Sequence, residues 1–208
     1  MPDTKGRIIA AALQTLRTEG IAGASARAIG RTGDFNQALI FYHFDSLNDL
    51  LLAAVDELSS RRVERYRARI DHITTLGELV AVAAELHRED AEQGHITVLA
   101  QMLAGSTTNP ELKGPLAERF RPWTELVEGA IARVVAGTPY ASIVPVEDLA
   151  FVVTSLFTGI ELTTSLEADE GRAESLFRTV GLMASLLEGL LAGAQPVEDA
   201  GRKRTKRR

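Results

Sequence analysis

The stretch from Ala24 to Phe44, ASARAIGRTGDFNQALIFYHF, constrains this chain more than any other. Ser25 stands where a hydroxyl accepts an orphan backbone N–H from the next turn. Ala26, Ile29 and Gly30 then fall at the i, i+3, i+4 spacing of a helix packed on one face. Thr32-Gly33-Asp34 interrupts that period, since glycine tolerates positive φ and Asp favours turns. Asn36 is a second cap, opening a helix over Gln37 to His43. Two short helices across a turn of three or four residues form the helix-turn-helix plan, whose second helix enters the major groove. Any hairpin of helices can carry such caps and a glycine, so spacing alone leaves a purely structural hairpin open.

Around this stretch the expectation is an all-α fold. Thr4 to Glu19 reads as a supporting helix, capped by Thr4, with Ile8, Ala12, Leu13 and Leu16 on one stripe and Gly20 ending it. Lys5 and Arg7 near its start are candidate phosphate contacts or solvated charge. Ser46 caps a long helix expected to run to about Ile70. Its end is crowded with Arg61, Arg62, Arg65, Arg67 and Arg69, read as a solvated helix end. Thr75 to Gln93 is amphipathic and stops at Gly94; His95 to Ala104 is short and apolar. Asn109-Pro110 and Pro115 mark restarts, Pro122 is expected to kink a helix over Leu116 to Ala136, and Gly137-Thr138-Pro139 ends it. Two terminal helices follow, about Val146 to Leu166 and Glu170 to Leu191. The first is apolar nearly all round, and a helix apolar on every side must be covered on every side. Part of that cover is expected from a second subunit, in a two-fold four-helix bundle. Phe151, Leu156, Ile160, Phe177, Val180, Ala184 and Leu187 are the expected dimer-interface residues.

The 208 residues allow one or two domains with a core that needs no staples, and there is no cysteine. No apolar run reaches the length that spans a bilayer, and no secretory leader pattern is recognisable, so a cytoplasmic location and no membrane partner are expected. Net charge is −5. Residues 1–50 balance five basic against five acidic side chains. Phosphate attraction must then come from a local face rather than global charge. The last seven residues hold six basic ones, and 193–208 read as a basic, disordered tail.

Ser25, Arg27, Ile29, Phe35 and the run Ile40-Phe41-Tyr42-His43-Phe44, followed by Ser46 and Leu50-Leu51, closely resemble the DNA-binding signature of the TetR family of bacterial transcriptional regulators. The match covers about the first 60 residues without a gap. It departs in three places: Asp34-Phe35 stands for the usual Gly-Val, Ala38-Leu39 for a small residue early in the recognition helix, and Leu47 for a frequent lysine. The resemblance implies a DNA-binding domain over 1–60 and a helical effector-binding and dimerisation domain over 61–192. It implies DNA contact by Ser25, Arg27, Asn36, Gln37, Ala38, Leu39, Phe41, Tyr42 and His43. The residue types agree: Arg suits guanine, Gln pairs with adenine, and Ala or Leu meets a thymine methyl. Tyr42 and His43 can donate to phosphate oxygens, which set register.

The partners implied are a palindromic double-stranded operator, a second copy of the chain and a small-molecule effector. Leu99, Met102, Phe120, Trp123, Leu126, Phe157 and Glu161 are the candidate pocket residues, apolar with few polar groups, as such sites tend to be. Each reads equally as plain core. The chain shows no P-loop, dinucleotide or zincin motif, so no enzyme activity, cofactor or metal is expected. The cluster His87-Arg88-Glu89-Asp90 with Glu92 and His95 reads first as a solvated face, since no third metal ligand is fixed by spacing. Function is expected to be transcriptional regulation, as a ligand-responsive repressor. The alternative is a helical interaction protein or enzyme retaining an unused helix-turn-helix.

Overall fold

The computed structural model describes residues 3–136, 138, 140–164 and 170–193, without the side chains of 61, 170 and 191–193. The tail beyond 193, and the expected helix stop at Gly137 and Pro139, lie outside the described residues. Among the described residues the regular elements are all helical. They are α1 (Thr4–Gly23), α2 (Ala26–Gly33), α3 (Ala38–His43), α4 (Leu47–Ile70), α5 (Leu76–Gln93), α6 (His95–Thr108), a 3₁₀ turn (Pro110–Leu112), α7 (Lys113–Val135), α8 (Val146–Thr164) and α9 (Glu170–Gly193). No helix among them is long and apolar enough to cross a membrane.

Local chemistry explains the boundaries. Asp3, not Thr4, caps α1: its carboxylate accepts from Lys5 N–H at 3.1 Å. A carboxylate at this position also complements the helix dipole. Gly20, at φ 69°, breaks the helix, and the chain regains one turn before Gly23. Ser46 Oγ accepts from Asp49 N–H to start α4. Thr75 and Glu78 form a reciprocal capping box on α5, each side chain accepting from the other's backbone at 3.1 Å. Gly94, at φ 66°, separates α5 from α6. That second helix runs past its expected end at Ala104 to Thr108. α7 continues through Pro122 to Val135.

Two cores form. The first gathers Ile8, Leu16, Ile29, Ile40 and Leu50 with Val98, Met102, Leu112 and Leu116 from far downstream. The second gathers Val63, Tyr66, Ile70, Ile73, Leu86, Leu126 and Ala130. The expected division near residue 60 therefore falls inside α4, which feeds both cores, and the first core reaches well beyond it.

The terminal pair is two-faced. On α8, Ala150 and Glu161 are buried and Val153, Thr154, Phe157 and Thr158 half-buried along one stripe, while Phe151 and Leu156 on the other side are 66% and 60% exposed. On α9, Ala173, Phe177 and Ala184 are buried, while Leu182, Met183, Leu186 and Leu190 are 64–73% exposed. This corrects part of the expected seam. At about 100° per residue, Phe177 and Ala184 share the buried stripe of their own chain, Phe177 with its ring 5.4 Å from that of His87. Val180 and Ile160 are half-buried, and Leu187 is 47% exposed. The exposed stripe of α9 is instead Leu182, Met183, Leu186, Leu187 and Leu190.

Candidate DNA-binding face and effector cavity

The turn between α2 and α3 is built around two glycines. Asp34 takes the left-handed conformation, φ 52° and ψ 53°, and its N–H donates to Gly30 O. Phe35 N–H donates to the same carbonyl at 3.0 Å. A Cβ on Gly30 would meet Phe35 O at 2.8 Å, and one on Gly33 would meet Phe35 Cε1 at 2.0 Å. The departure from a Gly-Val turn is thus accommodated: Asp34 supplies the left-handed residue, and the Phe35 ring folds back over Gly33. Asn36 Oδ1 accepts from Ala38 N–H at 2.8 Å and starts α3.

Ile40 is fully buried and Phe44 nearly so, so the inner side of α3 is anchored. The outer side is open. Asn36, Gln37 and Ala38 are exposed, Leu39 and His43 half-buried. Phe41 is 55% exposed and Tyr42 82%. Tyr42 and His43 meet edge to face, ring centroids 5.0 Å apart. Exposed aromatics on a six-residue helix contribute nothing to this chain's core, and they flank the polar Asn36 and Gln37. From α2, Ser25 and Arg27 are exposed on the same module. Ser25 Oγ is engaged as the cap, accepting from Ala28 N–H at 3.2 Å. Arg31 is held by Glu19 at 2.8 Å, which leaves Arg27 as the unpaired arginine of α2 among the described residues. Lys5 Nζ stands 5.3 Å from the Phe44 ring centroid, so the α1 N-terminus lies beside the end of α3.

The downstream helices line a partly open cavity of about 160 Å³. Leu79, Val82, Leu86, Leu99, Phe120, Trp123 and Phe157 give it apolar walls. Arg62, Asp90, His95 and Glu161 bring polar groups to it from four helices. Arg62 pairs with Asp90, and its guanidinium carbon lies 5.2 Å from the Trp123 ring centroid. His95 Nδ1 lies 3.2 Å from Asp90 Oδ1. Glu161 Oε1 and His87 Nδ1 share a 2.5 Å hydrogen bond. Burial, with the nearby charge of Asp90, pushes Glu161 up to about 8, against the pull of Arg62. Burial holds His87 below its ordinary value, so both partners are neutral near pH 7. Arg62 is likewise lowered by burial, opposed by Asp90.

Residues 8–54 match the model of the bacterial regulatory proteins of the tetR family. This N-terminal segment is a TetR-family DNA-binding domain. The chain is similar to an uncharacterised HTH-type transcriptional regulator of Mycobacterium tuberculosis, 24% identical over 160 residues, spanning 76% of this chain and 80% of that one. Its fold is shared with the regulator FadR from Bacillus subtilis, solved with stearoyl-CoA, at a TM-score of 0.73, 16% identity and coverage of 91% and 99%. A multidrug binding protein, EbrR, solved with imidazole, aligns at a TM-score of 0.61 and 26% identity, over 86% of this chain and 96% of that one. The chain, with this TetR-type N-terminal domain, is a DNA-binding transcriptional regulator.

Among the expected pocket residues, Leu99, Phe120, Trp123, Phe157 and Glu161 line the cavity. Met102 and Leu126 do not, which is a correction. Met102 and Leu126 lie about one turn further along their helices than the lining Val98 and Trp123, where Met102 is fully buried in the first core and Leu126 is packed in the second. Arg62, Asp90 and His95 were not anticipated there. Arg62 read as part of a solvated arginine run. In fact α4 and α5 pair along it, Arg65 with Glu89 and Arg69 with Glu85. The available signal was the i, i+1, i+4 grouping of Leu86, His87 and Asp90, which puts the two polar residues on the apolar stripe of α5.

A physical link joins the two sites. Ile96, Val98 and Leu99 of α6 line the cavity. About one turn later, Gln101 Oε1 accepts from Ile21 N–H at 2.8 Å, just past the break in α1. Gly105 packs so closely on Ile21 that a Cβ there would lie 2.7 Å from Ile21 Cγ1.

Proposed function

We propose that this TetR-family regulator is a ligand-responsive repressor, working in the cytoplasm, that binds a palindromic operator as a homodimer. The observation behind this reading is the outward edge of α3, where Gln37, Phe41 and Tyr42 stand clear of the chain's own core. Gln37 would read a base edge, Tyr42 and His43 would hold phosphates, and Arg27 of α2 would add a cationic contact. The exposed stripes of α8 and α9 would pair across a two-fold axis and hold two recognition helices about 34–36 Å apart, one helical turn of DNA. Residues 61–192 would then act as the dimerisation and effector domain. Ligand in the cavity would reach the DNA module through α6 and its contact with Ile21. A ligand bound more tightly by the off-DNA arrangement shifts the equilibrium away from the operator.

In-vitro selection from random duplexes, followed by gel-shift titration, tests this. The selected sequences should contain an inverted repeat. The double variant Arg27→Ala, Tyr42→Ala should bind the selected duplex at least about tenfold more weakly, with its gel-filtration volume unchanged. Absence of any inverted repeat, or unaltered affinity of the double variant, would overturn the assignment.

A further inference from the structure

We propose that the bases beneath α3 in each half-site are A·T pairs, read by Gln37 at adenine and by Phe41 and Ala38 at the 5-methyl group of thymine. This rests on the operator-binding reading given above and names the sequence class of that operator.

The order of side chains around α3 comes first. Gln37 has helical backbone angles, φ −54° and ψ −26°, so it continues the turn that follows it. At 100° per residue, Gln37, Phe41, Ala38 and Tyr42 follow one another across an arc of about 140°. All four are exposed, while Ile40, outside that arc, is fully buried. The edge that clears the core therefore presents an amide, a ring, a methyl group and a phenol, in that order.

The chemistry of this edge suits one kind of base pair. Residues 37–43, QALIFYH, hold no arginine, lysine or carboxylate. Guanine presents two acceptors, N7 and O6, and is matched by arginine or lysine; the N4 amino group of cytosine is matched by a carboxylate. Neither half of a G·C pair finds its partner on α3. Of the nearby cations, Arg31 is engaged by Glu19, Lys5 stands beside the Phe44 ring, and Arg27 belongs to α2.

Adenine presents an acceptor at N7 beside a donor at N6, and a side-chain amide matches both at once. Asn36 is less suited, because its Oδ1 already accepts from Ala38 N–H at 2.8 Å. Gln37 makes no capping bond with its side chain, so its amide is available. An adenine held by Gln37 carries a paired thymine whose methyl group lies in the same groove. Phe41 is the next side chain around the arc and Ala38 the one after it. A ring 55% exposed to water gains by covering that methyl group.

The duplex recovered by in-vitro selection with the full-length protein is the probe. In copies of it, single thymines are replaced by deoxyuridine, which removes only the 5-methyl group. Single adenines are replaced by 7-deazaadenine, which removes only the N7 acceptor. In gel-shift titrations wild type should lose about fourfold in affinity at one or more deoxyuridines, the worth of one buried methyl group. It should lose at least about fivefold at one 7-deazaadenine, where the amide donor is left unpaired. Phe41→Ser or Ala38→Gly should bind the thymine and deoxyuridine duplexes equally at the sensitive step. Gln37→Leu should be indifferent to the 7-deazaadenine that penalises wild type. Each comparison sets two duplexes against one protein, so a general loss of folding does not mimic it, and the wild-type comparisons decide alone if a variant fails to fold by circular dichroism. Wild type indifferent to every replacement, a penalty that survives in the matching variants, or selected half-sites without an invariant A·T pair overturns the assignment while leaving the operator reading in place. Selection that yields no inverted repeat overturns the operator reading itself, and this assignment with it.

Discussion

Glu161 is an acid held inside an apolar helix, and its cost is calculable. In the unfolded chain it titrates near 4.5; in the folded chain burial and Asp90 raise it to about 8. Between those values the native state keeps a proton that the unfolded state has released. Stability must then fall as pH rises, at about 1.4 kcal/mol per pH unit, and level off above 8. The whole interval amounts to on the order of 5 kcal/mol. Glu161→Gln removes the titration while leaving an amide that can still donate to His87. His87, held below its ordinary 6.5, works with the opposite sign, because its native form binds fewer protons and stability rises with pH up to that value. The clean window is therefore pH 6.5 to 8, where Glu161 alone contributes about 2 kcal/mol. Urea denaturation of both proteins, at one fixed concentration because the stability of the proposed dimer would depend on it, should show wild type losing that amount relative to the variant. In thermal melts the same difference is about 4–8 °C. A wild-type-minus-variant difference that is flat from pH 6.5 to 8, or that rises, would refute the account of a neutral buried acid.

Gly33→Ala should lower stability by about 1–3 kcal/mol, the ordinary cost of overpacking, because its Cβ would fall 2.0 Å from Phe35 Cε1 and 2.9 Å from Ala11 Cβ; a thermal melt unchanged from wild type would contradict the turn geometry. Gln101→Ala leaves Ile21 N–H without its acceptor and should cost about 1–3 kcal/mol, while weakening the effect of a bound ligand on operator affinity. Paired gel shifts with and without ligand measure that coupling, and an undiminished ratio would remove α6 from the route. Leu156→Glu with Leu186→Glu puts charge on the exposed stripes of α8 and α9 and should convert a dimer to monomers in sedimentation; an unaltered sedimentation coefficient would place the interface elsewhere.

Much of the local order was legible in the residues alone. Ser25, Ser46, Thr75 and Gly94 act through bonds or backbone angles within a few positions, so their effect does not depend on the rest of the fold. Asn36, Asp34 and Gly33 define the turn for the same reason, and the outward face of α3 follows once Ile40 and Phe44 are taken as anchors. The misplaced cap at Thr4, one residue late, is an error of the same short range.

What surrounds the cavity was decided elsewhere. Periodicity says that α9 has a buried stripe but not which neighbour occupies it; only its packing on α5 turns Phe177 and Ala184 inward and leaves Leu182, Met183, Leu186, Leu187 and Leu190 outside. Met102 and Leu126 show the same limit, since residues on one helical face line a space or fill a core according to which helices pack against each turn. Arg62, Asp90, His95 and Glu161 come from four helices spread over a hundred positions of chain. A run of arginines looks solvated until a facing helix supplies Asp90, Glu89 and Glu85. Caps and turns are written in neighbouring residues, whereas burial and charge pairing belong to surfaces that exist only once distant segments meet.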